Sequence, residues 1–566
     1  MSTLKTLTFH PTGDDLAVSA IQNWRITVSD DATASERYAA EEFQKWFNQA
    51  TGLALSLTTA QGNAAPDSEQ IAIGALPALG DEDIQITVKS GGVQIQGGLP
   101  RGVLYAVYQF LEELVGIRFL TADHTYIPDV SALKVPCGSY TYSPPFSFRW
   151  SYYRENSESP TFAVKRKVNT VTDAESLGGK TQQQLINHSF HALVPYGTYG
   201  ENHPEYYALV DGKRDTSTHG GGPQLCVTNP EVIEVAATAA NQQLTDRPEA
   251  TNISVSQADT AAYCRCETCE TLNEAEGTPM GSQLTFVNAV AERIEAAHPH
   301  VKVGTLAYWY TRKPPKTIKP RHNVQIQLCS IECCTLHAID NPDCEQNQAF
   351  CEDTNAWGKI CDDIWIWNYN TNFRSYDLPF PNLRSIQPNV RYFLRNNAKG
   401  VFMQANGNGL TGEFSDLRNY LISHLIWDPH LDSEALLNEF VNLHYGAAAP
   451  PILEYIAFLH DNVEARGLHP RCFPTPEDVG LDAESAQTIF DYFRQALALA
   501  EKPEIRARVE KASIPAYKGM LVAGGEMESQ KRQTLIDEYI TLCERYNMSH
   551  AAETQAAEAY FEELRS

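Results

Sequence analysis

The sequence predicts an α/β protein built on a (β/α)8 barrel, with a small α/β domain before the barrel and a helical domain after it. Three observations carry this. Between about residues 145 and 430, eight strand-like runs alternate with amphipathic stretches, the count that such a barrel requires. Ahead of them, shorter strand-like runs are interleaved with two helical patterns. Beyond them the strand signal fades and helical periodicity takes over. The boundaries follow as 1–143, 144–430 and 431–566.

In the first segment, "WRITVSDD" and "QIAIG" read as strands. "SERYAAEEFQKWFNQATG" reads as a helix with Ala39, Phe43, Trp46, Phe47 and Ala50 on one face and Gly52 closing it. "IQITVKSGGVQIQGG" is a hairpin pattern. "PRGVLYAVYQFLEELVG" carries a second stripe of Val103, Val107, Phe110, Leu111 and Leu114, punctuated by Pro100 and Gly116. The eight barrel strands are read as "FRWSYYR", "VNTVTD", "QLCVTN", "NISVSQ", "VKVGTLAYWY", "NVQIQLCS", "DIWIWNYN" and "GVFMQA". Helical runs cover 230–246, 281–298, 383–397 and 415–425. The last segment opens with "SEALLNEFVNLHYG", where Leu436, Leu437, Phe440 and Val441 share a face, and remains helical to its acidic end.

Bulk composition narrows the function. The net charge of −26, from 44 basic and 70 acidic residues, repels phosphate backbones and anionic lipid, so neither nucleic acid nor membrane is an expected partner. No apolar stretch reaches the ~18–20 residues of a membrane span, and "MSTLKTLTFHPTGDD" lacks the apolar core of a leader. The expectation is a soluble protein, either cytoplasmic or exported with its leader removed.

On a barrel, chemistry sits where strands end. That rule selects Asp259 after the fourth strand, Tyr308 and Trp309 at the end of the fifth, and Glu332 after the sixth. It adds Trp367, Asn368 and Tyr369 from the seventh, Gln404 and Asn406 from the eighth, and Glu413 in the loop beyond. His188 and His191 precede the third strand. Two carboxyl groups beside Trp and Tyr suit glycosidic chemistry: an acid for the leaving oxygen, a second polar group for the oxocarbenium-like centre, and aromatic faces for sugar rings. A lone Asp in a strand-to-loop turn is also a common cap or Asx-turn residue. Asp259 and Glu332 are therefore the expected catalytic pair; His188, Tyr308, Trp309, Trp367, Asn368, Tyr369, Gln404 and Glu413 are expected to bind substrate. No cofactor and no metal is expected, and the two histidines lack the helical His-Glu spacing of a metal site.

Thirteen cysteines fall mostly in two clusters. Cys264, Cys266 and Cys269 supply three thiols within six residues, and His337 or Cys334 could complete a tetrahedral zinc set. Paired zinc knuckles usually show two Cys-X-X-Cys elements, whereas this stretch has one, so a stapled loop is the expected reading.

The stretches "NISVSQADTAAYCRCETCE", "LAYWYTRKPPKTIKPRHNVQIQLCSIECC", "WIWNYNTNF", "LPFPNL", "GVFMQANG", "LRNYLISHLIWDP", "NHPEYYALVDGKR" and "FVNLHYG" resemble the family called domain of unknown function 4838, part of which is classed as glycoside hydrolase family 163. They span about residues 148–446. The first segment is similar to the small α/β domain that precedes the barrel in family 20 hexosaminidases and family 67 α-glucuronidases. The resemblance implies an endo-β-N-acetylglucosaminidase acting on a carbohydrate substrate, the N-glycan core. It implies a retaining mechanism in which the substrate's own 2-acetamido oxygen is the nucleophile. Asp259 and Glu332 would then share the tasks of proton donor and acetamide-orienting group. Asn368 departs from the pattern, standing where many relatives carry Asp; an amide can hydrogen-bond an acetamide but cannot act as a base. Two other readings remain: an exo-acting hexosaminidase or α-glucuronidase-like enzyme, the latter needing Arg149 or Arg154 to hold a sugar carboxylate, and a non-catalytic glycan-binding protein on a decayed barrel.

Overall fold

The computed structural model describes residues 4–61, 69–130 and 132–566, so residues 1–3 of the stretch read for a leader lie outside the described residues. The chain forms two compact units. One comprises Met1–Lys180, Asn370–Arg391 and Gln404–Ser566; the other comprises Thr181–Tyr369 and Tyr392–Met403.

The first unit opens with a seven-stranded mixed sheet, ordered Thr8–Ala17, Lys134–Tyr142, Ile84–Lys89, Gly92–Gly97, Gln70–Ala75, Arg25–Ser29 and Ser56–Ala60. The expected hairpin pairs Lys89 with Gly92 in antiparallel register. The Thr8–Ala17 strand is exposed at its first eight residues, so it has no apolar alternation for a sequence reading to find. The helix Ala34–Thr51 starts at a Thr33/Glu36 capping box and stops at Gly52, whose φ of +72° suits a residue without Cβ. Its predicted face, Ala39 through Ala50, is buried. The second helix, Gly102–Gln109, is buried all round rather than along one stripe; it widens over Phe110–Val115 and ends at Gly116, φ +94°.

Buried charge fixes how this helix meets its surroundings. Glu82 accepts from Arg101 at 2.7 Å and from Asn169 at 2.9 Å and pairs with Arg149 at 2.6 Å. Burial pushes the Glu82 carboxyl up, but Arg149 and Arg101 outweigh it and hold the group below the usual carboxylate range. Glu112 is fully buried between Arg166 and Lys167. A carboxylate so placed needs both cations, since removing one would strand an unpaired buried charge.

The C-terminal part of this unit is helical as expected: Ser433–Tyr445, Ala449–Ala465, Ala483–Leu499, Pro503–Ala523, Ser529–Arg545 and Ala557–Arg565. A short hairpin, His550–Ala552 with Gln555–Ala556, interrupts it.

The second unit contains the strands Asn252–Ser254, Lys302–Ala307, Val324–Cys329, Ile364–Tyr369 and Ala398–Gln404, adjacent in that order, although the last residue, Gln404, belongs to the first unit. Pairing is parallel from the first through the fourth, with Ile253 opposite Val303 and Leu328 opposite Ile366. Helix Pro230–Asp246 precedes the first of these strands and helices Glu267–Glu276, Met280–Glu295 and Glu345–Trp357 lie between them, which makes this the parallel strand-and-helix sheet of a barrel fold. With Phe148–Ser151 in the first unit, six of the eight expected barrel strands are strands.

The other two expected strands are replaced by side-chain lacing. "VNTVTD" follows Lys167 at φ +57°, and the Asn169 amide bonds Glu82, the Ser147 carbonyl and the Arg149 N–H in place of a ladder. "QLCVTN" makes one isolated bridge, Leu225 to Tyr207. The edge it was expected to occupy is met by residues 182–190, where Asn252 bonds both backbone groups of Gln184 and Ser254 Oγ accepts from Asn187 N–H at 3.0 Å.

His460 in the first unit yields a test. Its Nδ1 donates to the Ile456 carbonyl at 2.7 Å while Nε2 accepts from Leu383 N–H at 3.1 Å, so the ring is locked neutral. Burial lowers its pKa to about 4. Because the folded value lies below the unfolded one, near 6.5, this site's stability is complete above that value and is lost as pH falls toward 4. In urea denaturation across this window, His460→Gln is expected to lose stability less steeply than the parent, by about 1.4 kcal/mol per pH unit. Equal slopes would contradict the assignment.

Candidate active site

The strand Asn252–Ser254 ends after three residues, and the chain beyond it carries Asp259. Polar cross-links hold this loop. Gln224, almost fully buried, donates from Nε2 to the carbonyls of Ala258 at 2.8 Å and Thr260 at 2.7 Å, while its Oε1 accepts from Ala258 N–H at 3.1 Å. Asp259 N–H donates to the Gly220 carbonyl at 2.6 Å. Gly220 lies at φ +60°, and a Cβ there would stand 2.4 Å from the Asp259 carbonyl oxygen, so only glycine permits the approach.

Asp259 is thereby presented half-exposed, and its Oδ1 accepts from Tyr308 Oη at 2.9 Å. His188 donates from Nδ1 to the Gln257 carbonyl at 2.6 Å, which leaves Nε2 3.9 Å from Asp259 Oδ1. The His188 ring packs edge-on against Tyr308 at 5.7 Å. Tyr308 and Trp309 follow the strand Lys302–Ala307, and Thr311 fixes the turn: its Oγ1 accepts from Tyr308 N–H at 3.1 Å and from Gln257 Nε2 at 2.8 Å. Trp309 is held at φ +55°, a left-handed conformation unusual for a bulky residue, and 48% of it is exposed.

Glu332 follows the strand Val324–Cys329. Its Oε2 accepts from Arg312 Nη1 at 2.6 Å, and Arg312 Nε donates to Asp353 at 2.7 Å. The thiol of Cys329 is pushed well up, first by burial and then by the negative charges of Asp259 and Glu332, so both carboxylates act on one buried sulfur. Asn368 is buried and donates to Ser330 Oγ at 2.9 Å, tying the ends of two neighbouring strands. Trp367 stacks on Tyr369 at 6.4 Å and meets Phe402 edge-on at 4.8 Å.

Asp259, His188, Tyr308, Trp309, Glu332, Trp367, Asn368 and Tyr369 all belong to the second unit; Gln404 and Glu413 belong to the first. Gln404 donates to Glu553 at 3.4 Å. Glu413 is buried, paired with Arg418, and accepts from Tyr455 Oη at 2.8 Å; burial raises its pKa against Arg418. Asn406 is a loop brace, accepting from Asn408 and Gly409 N–H and donating to the Thr411 carbonyl. Arg149 is fully buried on Glu82, and Arg154 pairs with Glu158 at 2.7 Å, so both arginines invoked for a sugar carboxylate are engaged elsewhere in the first unit.

Sequence reasoning missed Arg312, Asp353, Gln224 and Gln257. Arg312 was within reach, since "YWYTRKPP" sets it three residues after Trp309 at a strand end. It also missed Cys226, which joins Cys264, Cys266 and Cys269; His337, one of the two fourth ligands considered, instead lies 3.3 Å from Cys334 Sγ. Among the described residues no cysteine forms a disulfide, and no helix is long and apolar enough to cross a membrane.

Comparison with solved structures gives the class of fold first. A family GH115 4-O-methyl-α-glucuronidase with specificity for decorated arabinogalactans matches with a TM-score of 0.57 at 10% identity, over 96% of this chain and 78% of that one. A Flavobacterium johnsoniae chitobiase of family GH20 matches at 0.48 and 11% identity, over 100% and 98% of the two chains. A GH20 β-N-acetylhexosaminidase from Streptomyces coelicolor A3(2) matches at 0.43 and 14%, over 78% and 94%. At these identities the glucuronidase likeness is one of fold alone. No curated protein matches the sequence. The family is settled by sequence: residues 119–457 match the family described as a domain of unknown function (DUF4838), and the chain belongs to it.

The Gly220 contact is testable. Gly220→Ala is expected to lower stability by about 2 kcal/mol or more, because strain adds to a backbone clash. Gly212→Ala has φ +75° but nothing within 4 Å of the added Cβ, and should lose only the strain, about 1 kcal/mol. Urea denaturation of both variants checks this, and equal losses would remove the clash from the explanation.

Proposed function

We propose that this protein is a glycoside hydrolase, and that its substrate is a β-linked N-acetylhexosamine in an N-glycan, cut by an endo-β-N-acetylglucosaminidase reaction. The observation that carries the reading is the Asp259 group: a half-exposed carboxylate bonded to the Tyr308 hydroxyl, with His188 Nε2 3.9 Å away and the strained, exposed Trp309 next to that tyrosine in the chain. Family membership and the GH115-like fold favour a sugar-acting enzyme over a binding protein, and the motif resemblance favours the N-acetylglucosamine linkage.

In this reading the substrate's acetamide oxygen attacks its own anomeric carbon, the leaving oxygen takes a proton, and water later opens the resulting oxazoline with retention. The enzyme therefore needs one carboxyl group that gives up and regains a proton, and one group that stays anionic beside the developing positive charge. Asp259 suits the first task, because its protein partner is a neutral phenol. Glu332 suits the second, because its Oε2 is paired with the Arg312 guanidinium at 2.6 Å, itself anchored by Asp353. Trp309 would stack on a sugar face.

Incubating the purified protein with a complex N-glycoprotein and reading released glycans by mass spectrometry tests the activity. Glycans ending in a single reducing N-acetylglucosamine are the expected product; no release, with activity instead on another nitrophenyl sugar, would replace the endo reading by an exo-glycosidase. Asp259→Asn and Glu332→Gln should each reduce turnover about 10²–10⁴-fold with folding preserved. Full turnover in both variants would end the assignment of this pair.

A further inference from the structure

Cys226, Cys264, Cys266 and Cys269 place their four Sγ atoms within 4.8 Å of one another, all inside the second unit. We infer that these four thiolates form a structural zinc site that clamps the Asp259 loop to the segment before it. The inference is independent of the glycosidase reading.

The distances separate this reading from its rival. Cys226 Sγ and Cys266 Sγ are 3.7 Å apart. A disulfide holds its sulfurs at about 2.0 Å. A tetrahedron with Zn–S bonds of about 2.3 Å has S–S edges of about 3.8 Å. Two disulfides would each need an oxidant, whereas metal binding needs none: four thiols release four protons, and their sulfurs each donate a lone pair to one Zn²⁺.

The surroundings have the features such a site requires. Cys266 is the N-cap of the helix Glu267–Glu276 and Cys269 lies in its first turn, so the Cys-X-X-Cys pair sits at the positive end of a helix, where thiolates are stabilised. Leu209 N–H donates to Cys264 Sγ at 3.3 Å, and Thr228 Oγ1 lies 3.1 Å from Cys269 Sγ and 3.9 Å from Cys266 Sγ. Such donors to sulfur orient and charge-balance metal thiolates. Cys264, Cys269 and Cys226 are buried and Cys266 is partly so, which shields the set from competing ligands. Zinc fits better than a harder cation because all four donors are soft sulfur in tetrahedral reach.

The test uses the full-length protein purified without chelator. Elemental analysis should find about one zinc per chain, and cobalt exchange should give the intense visible bands of a tetrathiolate site. Cys226→Ser and Cys266→Ser should each lower zinc retention against a competing chelator by roughly tenfold or more. Cys137→Ser, remote in sequence and in the other unit, should retain it. If the variants fail to fold, alkylation of the native parent decides: the four thiols should be protected until zinc is removed, and should then react together. Metal-free protein, stoichiometric iron, or disulfides among these four cysteines would overturn the inference.

Discussion

The buried side chain of Gln224 is the constraint on which the candidate site rests. Asn252–Ser254 is too short a strand to carry its own loop, and residues 255–260 leave the sheet with backbone groups that need partners. One amide supplies three of them, at Ala258 and Thr260, on either side of Asp259. Its own burial makes the arrangement cooperative, because losing Gln224 would strand several backbone groups away from water at once. The carboxylate between the clamped residues is thus fixed by its neighbours' backbone and remains open to solvent itself.

A similar device sets the aromatic side of the site. Thr311 Oγ1 gathers the Tyr308 N–H and the Gln257 amide and donates to the Leu306 carbonyl, and the turn it closes forces Trp309 into left-handed backbone. Gln257 also carries the carbonyl that orients His188. One buried glutamine therefore links the histidine, the tyrosine turn and the strand end, so the placement of His188, Tyr308 and Trp309 depends on polar contacts beneath them. Strain at Trp309 is supported by this network instead of relaxing into it.

Much of this was legible in the sequence where the signal is local. Helix Ala34–Thr51 was readable because its apolar period, its capping box and its terminal glycine all agree. Strand ends pointed to Asp259, Tyr308 and Trp309, and the structure sets Asp259 against the Tyr308 hydroxyl; the strand pattern of "VKVGTLAYWY" is strong. "VNTVTD" and "QLCVTN" were misread for one reason: their β-branched runs resemble strands, but Asn169, Gln224 and Cys226 spend their side chains on distant partners. Such long-range polar bonds leave no periodic trace. Cys226 illustrates it well, for it lies 38 residues from Cys264, and nothing in its neighbours marks it as the fourth member of that set.

The same logic explains why the loop needs a staple at all. For the role proposed for Asp259, burial in an apolar core could not secure the carboxylate, because burial would close it to substrate and favour its neutral form. Rigidity must then come from directional contacts around it. The glutamine clasp and the Gly220 contact act on the loop at Asp259 itself; Cys226 meets the loop through Cys264, Cys266 and Cys269, five to ten residues further on, where the chain turns into the helix Glu267–Glu276. Between the two anchors the loop has little freedom left, and both anchors bind it to residues 220–226, which run into one of the two segments that failed to become strands. That segment gave up its place in the sheet, and in exchange the site gained the cross-links that a regular βα turn could not have provided.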